Sequence, residues 1–215
     1  MGDPRVEILE HTVCYQGFFR IERYRLRHRL FGGGWSRELV REVFERGHAA
    51  AVLPYDPHLD RVVLVEQFRI GALHAPGGPW VLEIVAGVID PGETPEEVVR
   101  REAEEEAGCQ VQELVPICEY LVSPGGTSER LTLFCGRVDA SRAGGIHGRA
   151  EEGEDIRVVV MPAEEAFARL RAGEIRAAAP IIALQWLMLN REALRRQWGS
   201  APPTWHQGPE TPACP

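Results

Sequence analysis

The stretch from Gly87 to Cys109 constrains this chain more than any other. It opens as a tight turn, VIDPG, and continues with the marks of a capped helix. Thr94 is an N-cap, Pro95 stands at the first helical position, where its missing N–H costs nothing, and Glu97 completes a capping box. Gly108 supplies the terminator. A helix is therefore expected over 95–107. At about 100° per residue, Glu102, Glu105 and Glu106 fall within roughly a 100° arc, while Val99, Ala103 and Ala107 form a separate apolar stripe.

An acidic face of this kind has two physical readings. Solvated, with Arg100 and Arg101 as partners, like charges four residues apart cost only about 0.2–0.5 kcal/mol per pair. Partly desolvated, at about 6 Å and an effective dielectric of about 20, each pair costs roughly 3 kcal/mol, and a divalent cation removes that cost. Mg²⁺ favours a few carboxylates together with waters and phosphate oxygens. The helix alone does not choose between the two.

The wider spacing does. It reads Gly87, five residues, Glu93, seven residues, Arg101-Glu102-Ala103, one residue, Glu105-Glu106, one residue, Gly108-Cys109. This resembles the signature of the Nudix hydrolases, GX5EX7REUXEEXGU, with U a bulky aliphatic residue. All seven fixed letters are present. At about 1 in 15 per position, a chance match is roughly 1 in 10⁸ per starting point. Ala103 and Cys109 depart at the two U positions, and both are small and apolar. The resemblance implies a helix that holds divalent metal against a diphosphate. Glu102 and Glu106 are then the principal metal ligands, with the backbone carbonyl of Ala86, and Glu105 belongs to the catalytic set. Gly87, Glu93, Arg101 and Gly108 are structural, Glu93 reaching Arg101.

A second constellation, Ser123-Pro124-Gly125-Gly126-Thr127-Ser128-Glu129-Arg130, places Pro124 fifteen residues past Cys109. Pro-Gly-Gly by itself is ordinary turn composition. After a Nudix signature, the full string is similar to the ADP-ribose pyrophosphatase subfamily. The likeness extends to FFR, FERGHAA at 44–50, EQFRI at 66–70, GIHG…EDIRV at 145–158 and the IALQWL helix, covering roughly 5–198. It implies Mg²⁺-dependent hydrolysis of ADP-ribose to AMP and ribose 5-phosphate, Mn²⁺ being another candidate ion, with two or more ions per site. Glu152 is then the general base, on a loop that also carries Glu151 and the metal ligand Glu154. Phe18 and Phe19 lie beside the adenine, although such an aromatic pair, taken singly, reads as core packing. Arg41, Arg46 and Arg69 meet phosphates and ribose, where arginine is suited to bidentate contacts. Val88, Ser123, Pro124, Gly125 and Glu129 complete the substrate contacts. In this subfamily the N-terminal strands are exchanged in a homodimer, and each site is built from both chains. Other readings are hydrolysis of a nucleotide sugar or dinucleoside polyphosphate, and a non-catalytic ADP-ribose sensor, for which the intact acidic face has no use.

Composition sharpens the chemistry. All 24 residues counted as Lys+Arg are arginine. No lysine is available for a Schiff base or a phosphate loop, so arginine, backbone N–H groups or metal must handle phosphate. The favoured cause is a GC-rich coding sequence, which prefers arginine codons; the chemical consequence is the same. A formal net charge of -8 argues against a nucleic-acid partner. No 18-residue apolar window or signal peptide is present, so no membrane partner is expected. Five cysteines without a CxxC pair fit reduced thiols and a cytoplasmic location.

Along the chain, 5–31 reads as two strands about a Gln16-Gly17 turn, and 37–47 as either strand or helix. Strands are expected at 49–55, 61–68, 80–88 (one nearly continuous apolar run), 110–121, 130–138 and 156–162, a long loop at 139–155, and two final helices beginning near Pro162 and Pro180. The expectation is an α/β fold, specifically the Nudix α/β/α sandwich with a mixed sheet. It divides into an N-terminal antiparallel β unit at 1–45 used in dimerisation, a hydrolase domain at 46–198, and a disordered Pro-rich tail at 199–215.

Overall fold

The computed structural model describes residues 3–199, so the tail expected at 199–215 lies outside the described residues except for Gly199. The first three strands, β1 (Val6–Gln16), β2 (Arg20–His28) and β3 (Leu39–Glu45), form an antiparallel sheet of their own in the order β1-β2-β3. The ambiguous segment at 37–47 is thus a strand. The Gly32–Gly34 turn returns the chain, with Gly33 and Gly34 at φ 94° and 77°, and β3 pairs with β2 from Leu39↔Leu26 to Glu45↔Arg20.

The second sheet contains β4 (Ala49–Asp56), β5 (Arg61–Phe68), β6 (Trp80–Glu83), β7 (Val85–Val88), β8 (Leu114–Leu121), β9 (Arg130–Arg137), β10 (Ile146–His147) and β11 (Ile156–Pro162). Its order is β10-β11-β5-β4-β9-β8, with β6 on β5 and β7 on β4. The β4–β9 pair is parallel and the other pairs are antiparallel, so the sheet is mixed.

Helices cover both faces. β4, AAAVLPYD, is buried along its whole length, as a central strand must be. Ala50 and Val52 pack under α1 (Pro95–Ala107) with Val98, Val99, Ala103 and Ala107. Ala49, Ala51, Leu53 and Tyr55 face α2 (Ala163–Arg171) and α3 (Ala178–Gly199), where Phe167, Leu184, Leu187 and Trp198 close the other core. This is the expected α/β/α sandwich. Among the described residues, no helix is long and apolar enough to cross a membrane.

Two expectations are corrected. The run at 80–88 is two strands, because β4 and β5 pair directly only at Tyr55↔Val62 and Asp56↔Arg61 and then splay apart. β6 continues the ladder on β5, the chain crosses at the buried Ile84, and β7 continues it on β4. Pro162 is the N-cap of α2 rather than its first helical residue. The loop at 139–155 carries 3-10 turns at Ala140–Arg142 and Ala150–Glu152 flanking β10.

Candidate active site

α1 is built as its sequence demands. Thr94 Oγ accepts the Glu97 N–H at 3.3 Å, the Glu97 carboxylate accepts the Thr94 N–H at 2.8 Å, and Gly108 ends the helix in a left-handed conformation. Arg101 then organises its surroundings. It donates twice to Glu93 at 3.2 Å, tying the preceding turn to the helix, and once to Glu102 at 2.8 Å, with Glu105 at 3.6 Å.

Gly87 lets Glu102 approach β7. A Cβ built at Gly87 would stand 2.1 Å from Glu102 Oε1. One turn further along α1, Glu106 is only 4% exposed and accepts the Ala86 N–H at 3.2 Å. Burial pushes its carboxyl up to about 8, and the charges of Glu102 and Glu154 push the same way, against the Ala86 hydrogen bond and Arg69. Glu102 is raised as well, first by burial, with Arg101 opposing. The acidic face is therefore the desolvated one of the two readings.

Glu154 reaches this face from the Gly-rich loop. Its carboxylate accepts the Arg149 N–H at 3.1 Å, and a Cβ at Gly148 would stand 2.8 Å from Glu154 Cβ. Gly108 meets the same loop, a Cβ there lying 2.9 Å from the His147 ring. Glu151 points outward and pairs with Arg149 at 3.2 Å. Glu152 ends the 3-10 turn at Ala150–Glu152; its side chain lies outside the described part of the structure, and the role read for it rests on sequence.

The donor set, hard carboxylate oxygens whose mutual repulsion rises with burial, suits Mg²⁺ or Mn²⁺. Among the described residues no three His, Cys, Asp or Glu groups already converge on one ion. The reason is visible: Arg101 holds Glu102, and the Ala86 N–H holds Glu106. Because the N–H and C=O of one strand residue point to the same side, the Ala86 carbonyl lies on the same edge as that N–H.

Arg69, whose charge acts on Glu106, has its Nε 2.8 Å from Glu83. Phe18, Phe19, Arg46 and Val88 line a separate concavity of about 470 Å³ at the junction of the two sheets. Phe18 is 94% exposed and meets Phe19 edge-to-face at 4.8 Å. Arg46 lies over the Phe19 ring at 5.4 Å and 3.6 Å from the buried Glu129. Ser123, Pro124 and Gly125 form the exposed turn that docks β3: the Phe44 N–H donates to Gly126 O at 2.8 Å, and Ser128 Oγ donates to Glu45. Arg41 is not brought here. It lies exposed in mid-β3 opposite Tyr24, donating to Val40 O at 2.8 Å. A larger concavity of about 520 Å³ beside the end of α3, lined by Pro57, His58, Glu192 and Arg195, holds none of these residues. Sequence reasoning missed Glu45, Ser128 and Glu83, although the first two lay inside the quoted strings FERGHAA and SPGGTSER.

The NUDIX domain model matches residues 45–184. The chain therefore belongs to the Nudix family and is a Nudix hydrolase. Within that family it is similar to bacterial ADP-ribose pyrophosphatases. It is 53% identical to that of Escherichia coli strain K12 over 197 residues, which cover 92% of this chain and 94% of the relative. It is 47% identical to that of Haemophilus influenzae over 196 residues, 90% of each chain. A solved structure titled "Crystal structure of ADP compounds hydrolase" superposes with a TM-score of 0.68 over 92% of this chain and 98% of that one. At 21% identity it speaks for the fold.

Proposed function

We propose that this chain hydrolyses ADP-ribose to AMP and ribose 5-phosphate. What carries the reading is the buried Glu106 held on the Ala86 N–H, with Glu102 one turn before it on the same helix face against Gly87, in a chain 53% identical to an ADP-ribose pyrophosphatase. Two or more Mg²⁺ ions, held by Glu102, Glu106, Glu154 and the Ala86 carbonyl, would supply charge neutralisation for the diphosphate. Glu152 takes a proton from the water that attacks the adenosyl phosphorus; the P–O bond to the ribose phosphate breaks, and that group leaves as ribose 5-phosphate. A glutamate on a loop suits a base that closes over bound substrate. Arg101 and Glu105 set the orientation of the acidic face, and Gly87, Glu93 and Gly108 keep it close to β7 and the loop. Phe18 and Phe19 stack beside the adenine, and Arg46, Val88, Ser123, Pro124, Gly125 and Glu129 line the ribose side. A cytoplasmic homodimer completes the reading, in which Arg41 serves the site of the other copy.

The test is hydrolysis of ADP-ribose, nucleotide sugars and dinucleoside polyphosphates with Mg²⁺, with products identified. AMP and ribose 5-phosphate from ADP-ribose, at the highest kcat/KM of the panel, are expected. A higher kcat/KM on a nucleotide sugar moves the substrate assignment, and binding without AMP release makes the chain a sensor. Glu152→Gln lowers kcat by about 10²–10⁴-fold with KM nearly unchanged; wild-type turnover in that variant removes Glu152 as the base.

A further inference from the structure

The EQFRI segment contributes more than Arg69. Gln67, the last but one residue of β5, is 6% exposed, and its amide nitrogen is buried without a hydrogen-bond partner. Buried polar groups are normally satisfied, because leaving one bare costs stability. Its place in the fold explains the exception. Side chains alternate along a strand, so Gln67 shares a face with Val65, which packs under α1. Arg69 continues that face, since its backbone is still extended at φ −129°, ψ 108°, and its N–H prolongs the ladder to Pro79. Across the sheet, the register Arg157↔Glu66 places Ile156, another residue of the α1 core and two after Glu154, beside Gln67. The register Val65↔Glu83 puts Glu83 on the same face from the other flank. Gln67 therefore sits on the α1-facing side of β5, between Val65 and Arg69 and beside Ile156.

We propose that Gln67 is a further substrate-binding residue, its amide N–H donating to a non-bridging oxygen of the diphosphate beside Arg69; this rests on the nucleoside-diphosphate reading above. The surroundings account for the residue type. Glu83, Glu106 and Glu154 would capture a second cation in an ion pair, as Glu83 captures Arg69. A neutral donor is not drawn into such a pair and keeps its N–H for phosphate.

Gln67→Met, of similar length and without a donor, is the test. Removing an unsatisfied amide is expected to raise Tm by roughly 2–6 °C. Removing the phosphate contact is expected to lower kcat/KM by roughly 10- to 100-fold. A folded Gln67→Met with kcat/KM within about twofold of wild type overturns the proposal. A readout independent of the variant's folding is the Gln67 side-chain ¹⁵N–H₂ resonance of the wild-type protein. It shifts when a non-hydrolysable methylene analogue of ADP-ribose is added with Mg²⁺, and an unmoved resonance under saturation also overturns the inference. Failure of the ADP-ribose reading looks different, as absence of AMP release by the wild type. The Gln67→Met comparison and the matching analogue are then run on whichever nucleoside diphosphate derivative the wild type hydrolyses.

Discussion

Glu106 shows how far one position decides the chemistry of this chain. Its carboxyl is buried beside two other carboxylates, and its ordinary value near 4.5 is pushed up to about 8. A raised acid binds its proton more tightly folded than unfolded. Its stabilising contribution is complete below the unfolded value and is lost as pH rises through the folded one. Metal-free protein is therefore expected to lose Tm between about pH 5 and pH 8, and Glu106→Gln to flatten that slope. Because ions displace the proton, Mg²⁺ should raise Tm more at pH 8 than at about pH 6 in wild type; a pH-independent Mg²⁺ shift removes Glu106 as ligand. Gly87 acts through its neighbour. A methyl group there strikes the flexible end of Glu102 rather than backbone, so Gly87→Ala is expected to fold with nearly wild-type Tm. The displaced carboxylate should cost about 10- to 100-fold in metal affinity or activity, read from a Mg²⁺ titration of turnover. The Nudix spacing announced both residues, because it records which positions one helix face must carry. It could not announce the elevated Glu106 carboxyl, which comes from burial against β7 and from Glu154, 48 positions later in the chain.

Among the elements, the junction of β3 with the SPGGTSER turn bears most directly on substrate. Glu45 accepts from Ser128 Oγ and from the Gly47 N–H, and the Phe44 N–H reaches Gly126 O. These bonds hold Arg46 and Phe19, the next residues around the concavity, in place against Glu129. Ser128→Ala removes one charge-assisted bond and is expected to cost roughly 1–2 kcal/mol, a Tm fall of about 2–8 °C, with KM rising more than kcat falls. Ser128→Thr keeps the hydroxyl and should restore KM; a KM unchanged in Ser128→Ala separates this junction from substrate binding. The helices were legible in advance: the capping box fixed the start of α1, and an apolar stripe marked its buried side. The strand at 37–47 and the break at Ile84 were not, since short apolar runs carry no period that tells one pairing partner from two.

At the scale of the whole molecule, Arg41 does not line the concavity that holds Phe18, Phe19 and Arg46. Within one chain they are apart, while β1 exposes Val6, Ile8, Val13 and Tyr15. The proposed exchanged dimer would join both facts, covering the strand and carrying Arg41 to the other site. Mixing Arg41→Ala with Glu106→Gln protein and allowing subunits to exchange is then expected to restore activity, because each heterodimer regains one intact site; no gain over the separate variants removes the composite site. The amino-acid sequence by itself determined the capped acidic helix, the family, the absence of lysine and the α/β/α layering. Each of these follows from local geometry, residue type or spacing along the chain. Tertiary structure alone decided which face of α1 is dry, that β4 and β5 splay to admit β6 and β7, that Arg41 stands away from Arg46, and that Gln67 lies buried with a free donor. Those properties depend on which distant strand or loop covers a residue, and burial and strand pairing are set by contacts between segments far apart in sequence.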